Sequence, residues 1–325
     1  MTITQKPVWI LALLLTAGAA QAQTHDGFPN KPIRWIVGTS AGGGTDVVTR
    51  TIAQQLQEQL GQTLVVENKP GGGTTIAADY VSRAPADGYT MLTADVGTIV
   101  FNTALFKSLS YDPLNDFAAV GTLASVPLLL AVRADNTASD AKQLLAAMRK
   151  NPEQFSVATA GIGSPHHIAL EFLKDQAKLD VLHIPYKGSA PAIQDVLGGV
   201  TPVMVVDIPS GMSNIKAGKL KALATFTAER LPSLPDVPSL VELGVIEREP
   251  SSWWGIVVPK KTPSGVVAKL SAELEKAIRA PAVQERLKAM GVEPLPSDSA
   301  QMDTLWRRDM ETWPPLIREK EIRLD

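Results

Sequence analysis

The stretch Ile33-Arg34-Trp35-Ile36-Val37-Gly38-Thr39-Ser40-Ala41-Gly42-Gly43-Gly44-Thr45-Asp46-Val47-Val48 carries three structural signals in succession. A near-continuous apolar run reads as a strand covered on both faces. A glycine-rich turn follows. Then Val48, Ile52, Leu56 and Leu60 recur every four residues on one helical face, with Gly61 as the stop signal. The same order repeats outward. Residues 64–67 read as a second strand, ended by Asn68-Lys69-Pro70-Gly71-Gly72-Gly73, and a helix begins near Thr74. Asp87-Gly88 turns the chain into a strand at 89–94. Strands alternating with helices in this way predict an α/β protein with largely parallel sheets.

The rest of the chain keeps this pattern. Strands are expected at 128–132, 155–159, 183–186, 203–207 and 220–225, and a helix at 140–149. Ser164-Pro165 forms an N-cap and first-turn pair for the next helix. Ser189 is expected to cap a helix whose apolar residues are Ile193, Val196 and Leu197. The proline-rich, charged stretch 228–250 suits a return crossing between two lobes. A strand at 254–258 precedes a helix opened by Thr262-Pro263, with Val266, Leu270, Leu274 and Ile278 on one face. The last helical pattern, from Ala300, meets Pro314-Pro315, which is expected to kink or break it. Gly-Gly-Gly-Thr occurs twice, starting at Gly42 and Gly71, too few copies for a solenoid.

The N-terminus reads as an address. Lys6, an apolar run at 8–15 and Ala20-Gln21-Ala22 form the n-, h- and c-regions of a signal peptide spanning 1–22, with cleavage before Gln23 and delivery to the periplasm. The apolar run is too short for a hydrocarbon layer of about 30 Å. Export permits disulfides, but the chain has no cysteine, which also excludes a lipid anchor at the mature N-terminus. Cleavage leaves 303 of the 325 residues and removes one basic residue, so the formal net charge moves from −2 to −3. A chain of this length buries enough apolar surface without staples and commonly forms two lobes. The absence of any basic run argues against nucleic acid. No metal-type Cys/His spacing is present, so neither a metal nor a cofactor is expected.

The chemistry is carried by four strand–glycine turn–helix junctions, at 42–46, 71–75, 161–164 and 188–189. Each sets unpaired N–H groups and a positive helix end at the carboxyl end of a strand, where open α/β sheets bind ligands. Several such ends aimed into one cleft can hold carboxylates without arginine; singly they are ordinary tight turns. Gly42-Gly43-Gly44, with Glu67 ending the next strand, imitates a dinucleotide fingerprint, but Val47 stands where its third glycine belongs. Gly38-Thr39-Ser40-Ala41-Gly42 matches the hydrolase elbow G-x-S-x-G, with His166, His167 and His183 as downstream bases. Its strand comes first in the mature chain, so no upstream strand supplies an oxyanion loop. A secreted serine hydrolase using Ser40 therefore stays as the alternative reading. His166 and His167 point about 100° apart on a helix and cannot chelate one ion on one face; they read as packing or hinge residues. Trp253 and Trp254 read as core or hinge packing, with stacking on an aromatic ligand as the sharper option. Asp207, at a strand end, is a helix cap or a ligand contact.

The chain resembles the Bug family, the tripartite tricarboxylate transporter substrate-binding proteins, over essentially its whole mature length. The resemblance is carried by Phe28-Pro29-Asn30-Lys31-Pro32-Ile33-Arg34, Ala41-Gly42-Gly43-Gly44-Thr45-Asp46 and Val66-Glu67-Asn68-Lys69-Pro70-Gly71-Gly72. Ala86-Asp87-Gly88-Tyr89-Thr90, Thr159-Ala160-Gly161-Ile162-Gly163-Ser164 and Ile184-Pro185-Tyr186-Lys187-Gly188 follow. The set ends with Ala217-Gly218-Lys219-Leu220, Leu234-Pro235-Asp236-Val237-Pro238 and Pro259-Lys260-Lys261-Thr262-Pro263. Each motif alone is weak; the ordered set is specific.

This resemblance implies an α/β type II periplasmic-binding fold, two lobes with a ligand cleft between them. Lobe one would span 23–124 and 249–325, and lobe two 125–248, with crossings near Ser125 and Arg248. It further implies a monomeric receptor, not an enzyme, that delivers a small organic acid to integral-membrane transporter subunits that are not an ATPase. The implied site takes Thr39, Ser40, Ala41, Gly42, Gly43, Thr45 and Asp46 from lobe one. Lobe two supplies Thr159, Gly161, Ile162, Gly163, Ser164, Tyr186 and Gly188, and Asp207 joins them as a candidate. Asp46 is expected to brace its loop, since it would repel an anion. Where family members usually read Pro-Phe before the glycine loop, this chain has Gly38-Thr39-Ser40, a smaller loop richer in hydroxyls.

Overall fold

A computed structural model describes residues 27–322; the signal segment and its cleavage site lie outside them. Two lobes are built in turn. The first opens with β1 (Ile33–Val37), α1 (Gly44–Leu60), β2 (Leu64–Asn68), α2 (Thr75–Ser82) and β3 (Thr90–Asp95), then the short helices α3 (Asn102–Leu105) and α4 (Pro113–Asp116), and β4 (Phe117–Ser125). The second contains β5 (Leu128–Arg133), α5 (Ala141–Lys150), β6 (Ser156–Thr159), α6 (Pro165–Ala177) and β7 (Leu182–Pro185). It continues through α7 (Ser189–Leu197), β8 (Val203–Asp207), α8 (Ile208–Lys216) and β9 (Leu220–Thr225). The chain then returns to the first lobe as β10 (Trp253–Pro259), α9 (Ser264–Arg279), α10 (Pro281–Ala289), β11 (Glu293–Pro294) and α11 (Ser299–Glu319).

Among the described residues the first sheet runs β11-β4-β10-β3-β1-β2 and the second β7-β6-β8-β5-β9. Between strands, parallel pairing is confined to β2, β1 and β3 in one sheet and β7, β6 and β8 in the other. The largely parallel sheets expected from the alternation are therefore mixed. The returning strand β10 inserts antiparallel between β3 and β4, and β5 runs antiparallel to β8 and β9. The chain passes between sheets twice, from Ser125 to Leu128 and from Thr225 back to Trp253. All seven residues of β10 are buried, as befits a strand with neighbours on both sides.

Apolar clusters cover both faces of each sheet. Val48, Ile52 and Leu56 of α1 join Leu270, Leu274 and Ile278 of α9 in one cluster, so the two helical stripes read from the sequence meet each other. Gly61 ends α1 at φ 63°, its N–H on the Gln57 carbonyl, a conformation glycine adopts without penalty. Pro314 and Pro315 lie inside α11, so of the two expected outcomes, a kink or a break, the break does not occur. Trp306, Trp313 and Ile317 pack that helix into the first lobe's core, and this burial outweighs the lost backbone bonds. Ser189 does not cap α7: the N-cap is Gly188, and the Ser189 hydroxyl goes to Asp207. Among the described residues no helix is long and apolar enough to cross a membrane.

Candidate ligand-binding site

A cavity of about 250 Å³ lies between the lobes. Its wall is assembled from the carboxyl ends of strands: Gly38 and Thr39 after β1, Asp95 at the end of β3, Ala160 and Gly161 after β6, Tyr186 after β7 and Asp207 at the end of β8. Residues 43–45 and 71–74 add the glycine turns of the first lobe, and Trp254 comes from the return strand. This is where side chains and turn backbones of a twisted α/β sheet are left uncovered.

Three helices open on this cavity without a side-chain cap: α1 after Gly43, α2 after Thr74 and α7 after Gly188. Gly43, Thr74 and Ser189 all line it. The opening N–H groups of a helix have no intrahelical acceptor and carry partial positive charge, so converging uncapped ends form an anion site. Two further helices that start at this wall are capped, α6 by Ser164 and α8 by Asp207. The lobes meet closely around the cavity. Ser40 N and Oγ both donate to the Lys187 carbonyl, at 2.9 and 2.5 Å, and Gly44 N–H donates to Ser210 Oγ at 2.6 Å. Gly73, at φ 62°, admits the Ile162 carbonyl to a space that a Cβ would fill.

The inner wall carries an acid–imidazole group that the sequence reading did not assemble. Asp207 caps α8 by accepting from Ser210 N–H at 2.9 Å. It also accepts from the Ser189 hydroxyl and lies 3.1 Å from His166 Nε2. Burial pushes this carboxyl up, but His166, Ser189 and Ser210 prevail and hold it below its ordinary range. Asp95, equally enclosed, accepts from Thr98 N–H and Oγ1 at 2.6 and 2.7 Å, yet burial prevails there and raises its carboxyl.

Thr39, Gly43, Thr45, Gly161, Ile162, Ser164, Tyr186 and Asp207 line the cavity as the sequence suggested; the other named residues do not. Ala41 and Gly42 are exposed on the outside of the turn. Asp46 accepts from Gly42 N–H, Arg50 Nε and Asn68 Nδ2. Burial raises its carboxyl, those partners lower it further than burial raises it, and it braces the loop. Thr159 sits beneath the wall, its hydroxyl 2.6 Å from His183 Nε2. Gly163 abuts the Asn102 side chain, and Gly188 abuts Ser40 N. The Tyr186 hydroxyl is committed to Asp195 at 2.6 Å. Gly38 lets Thr74 approach to within 3.0 Å of where its Cβ would stand, so the small loop draws α2 toward the cavity. Asp95, Phe106 and His166 line the cavity without having been marked by the sequence as ligand contacts; Ser189, part of the 188–189 junction, and Trp254, for which stacking on a ligand is one reading, line it as well.

The hydrolase elbow is not assembled: among the described residues Ser40 Oγ is bonded to a carbonyl oxygen, with no imidazole on it. His167 leaves the cavity wall and stacks on His183, ring centroids 4.5 Å apart. With Glu171 these two place ligand-type atoms within 4.8 Å of one another. Gly163 N–H donates to His167 Nδ1 and Lys174 Nζ to Glu171 Oε1, so protein groups already occupy that trio.

Comparison with known proteins agrees with this architecture. Residues 48–322 match the family model described as the tripartite tricarboxylate transporter family receptor. The periplasmic binding protein BugD superposes with a TM-score of 0.88 at 34% identity, covering 91% of this chain and 100% of BugD. The R. palustris protein Rpa4515, solved with adipate, gives 0.87 at 30% identity over 91% of this chain and 100% of that one. MatC from Rhodopseudomonas palustris, solved with bound malate, gives 0.85 at 30% identity over 89% and 100%. The fold is thus the two-lobed periplasmic-binding arrangement, and the chain belongs to the tripartite tricarboxylate transporter receptor family, the Bug-type solute-binding proteins.

Proposed function

We propose that this protein is a monomeric periplasmic receptor that closes its lobes on a small organic carboxylate and hands it to the integral-membrane subunits of a tripartite transporter, without catalysing a reaction. In this reading lobe one is 23–124 with 249–325, lobe two is 125–248, and residues 1–22 are removed on export. The observation that carries it is the convergence of three uncapped helix starts on one interlobe cavity. The relatives solved with adipate and malate support the ligand class.

The test is a thermal-shift panel, guided by native mass spectrometry of the protein as purified. A matching acid at about 100 times its Kd adds about 2.7 kcal/mol by mass action, a rise in Tm of about 5 °C or more. The corresponding amide and methyl ester lack the anion and are expected to give no rise. Equal shifts from acid and ester count against helix-end recognition.

Ser40→Ala separates this reading from a hydrolase. The serine hydroxyl is one of two donors to the Lys187 carbonyl, and a neutral hydrogen bond contributes about 0.5–1.5 kcal/mol. Calorimetry is expected to show affinity reduced by about two- to tenfold. Ester hydrolysis should stay at the buffer rate in both proteins; turnover by the wild type that vanishes in Ser40→Ala would make it a hydrolase.

A further inference from the structure

We infer that the ligand is a carboxylate that also carries a hydrogen-bond donor, a hydroxyl or an ammonium, and that His166 Nδ1 receives that donor. This rests on the carboxylate reading above and deepens it.

His166 is 5% exposed and lines the cavity. Its ring is oriented from one side only. Nε2 lies 3.1 Å from Asp207 Oδ2, and Asp207 is itself fixed by Ser189 and by Ser210 N–H. The carboxyl is held in its ionised form, as derived above, and an ionised carboxylate only accepts. The Nε2 position therefore carries the proton, and this tautomer of the imidazole presents its lone pair at Nδ1. That atom is buried with no hydrogen-bond partner among the described residues. Buried polar atoms in folded proteins are almost always partnered, and in a cavity wall the partner is supplied by what fills the cavity.

The chemistry of that partner follows from the lone pair. A carboxylate oxygen set against Nδ1 would oppose acceptor to acceptor, while O–H or N–H satisfies it. The neighbouring Asp95 has one oxygen already taken by Thr98. The cavity is thus divided, with helix N–H groups for an anion on one side and an imidazole acceptor on the other. Its occupant has both an anionic end and a donor.

Matched sets on one carbon skeleton test this: succinate, malate and aspartate; propionate, lactate and alanine; benzoate and 3-hydroxybenzoate. Isothermal calorimetry with the wild type is expected to show a donor-bearing member binding about tenfold or more tighter than its parent. Whether the hydroxyl or the ammonium member leads identifies the donor. Gln at 166 keeps a donor for Asp207 but loses the acceptor at the δ position, so His166→Gln should reduce the preference to about unity. Asn keeps an acceptor there, and His166→Asn should retain part of it. A purely structural role for His166 would weaken all members together and leave the ratio unchanged. A parent acid that binds as tightly as its derivatives, or a ratio unchanged in His166→Gln, overturns the donor subsite alone. Failure of every acid to bind overturns the carboxylate reading and this inference with it.

Discussion

Gly44→Ala is expected to weaken binding of the acid by about 100-fold while leaving a folded protein. Gly44 is the first residue of α1 and donates to Ser210 Oγ across the cleft at 2.6 Å. A Cβ there would overlap Asp207 Oδ1 and stand 2.8 Å from Pro209 Cγ and 2.9 Å from Ser210 Oγ. These three nearest atoms all belong to the second lobe, and alanine is the better helix former. Separated lobes therefore lose nothing, whereas joined lobes collide. Overpacking costs roughly 1–3 kcal/mol and a lost hydrogen bond about 0.5–1.5 kcal/mol more. Together these correspond to about two decades of affinity. Calorimetry reads the loss, and small-angle scattering should show the variant remaining open when ligand is added. Gly265→Ala, whose Cβ meets nothing within 4 Å, is the control. Unchanged affinity with compact scattering would remove this contact from the closing seam.

The second large effect is on stability in mild acid. Burial, with the charges of His183 and Lys174 adding to it, pulls His167 down to about 3. Burial and then Lys174 pull His183 down to about 4. Both lie below the ordinary histidine value, so between about pH 6.5 and these values the unfolded chain binds protons that the folded protein refuses. Stability therefore falls as the pH falls through that window. At pH 4.5 each histidine would subtract up to about 2.7 kcal/mol. Asp95 and Glu249, both raised by burial, act in the opposite direction, because the folded state protonates them first. A double variant isolates the histidines. Urea unfolding from pH 7 to 4.5 should show the wild type losing roughly 3–5 kcal/mol more than His167→Gln/His183→Gln. Parallel curves would mean that the stacked imidazoles are not held neutral.

The junction from Ile33 to Gly61 was legible because its determinants are local. An apolar run makes the strand, glycines make the turn, and a four-residue spacing makes the helix. Ser164 capping α6 was legible for the same reason, and its hydroxyl accepts from His167 N–H as the Ser-Pro pair suggested. What failed depended on distant partners. Pro314-Pro315 reads locally as a kink or a break, and it does not break the helix because the core receiving Trp313 and Ile317 is built largely by strands and helices about 200 residues or more earlier in the chain. Ser189 has the composition of a cap, but Asp207 competes for its hydroxyl from another strand. The site was legible as turns and not as a surface. Sequence shows that residues 39–46 form a strand-to-helix junction, but not that Thr39 and Thr45 line the cavity while Ala41 is exposed. Asp95 has no local signature at all; it belongs to the site because β3 ends beside the chain's return strand. His166 looked like half of a failed metal pair, and only the fold shows that its neighbour His167 serves a different contact.

The seam around the cavity is made largely of main-chain atoms: the Lys187 carbonyl under Ser40, the Gly44 N–H, and the carbonyls of Ile162 and Gly163 against Gly73 and Gly97. Main-chain atoms are common to all residue types, so the backbone part of this join survives exchange of neighbouring side chains, with the Ser40 and Ser210 hydroxyls as the exceptions. Thr39, Phe106 and His166 line the cavity, and among the described residues their side chains hold no hydrogen bond across that seam. Inheritance is thereby partitioned. Mutation can retune which solute is chosen at those wall positions, one residue at a time, while the glycines that permit the backbones to touch are held constant by geometry.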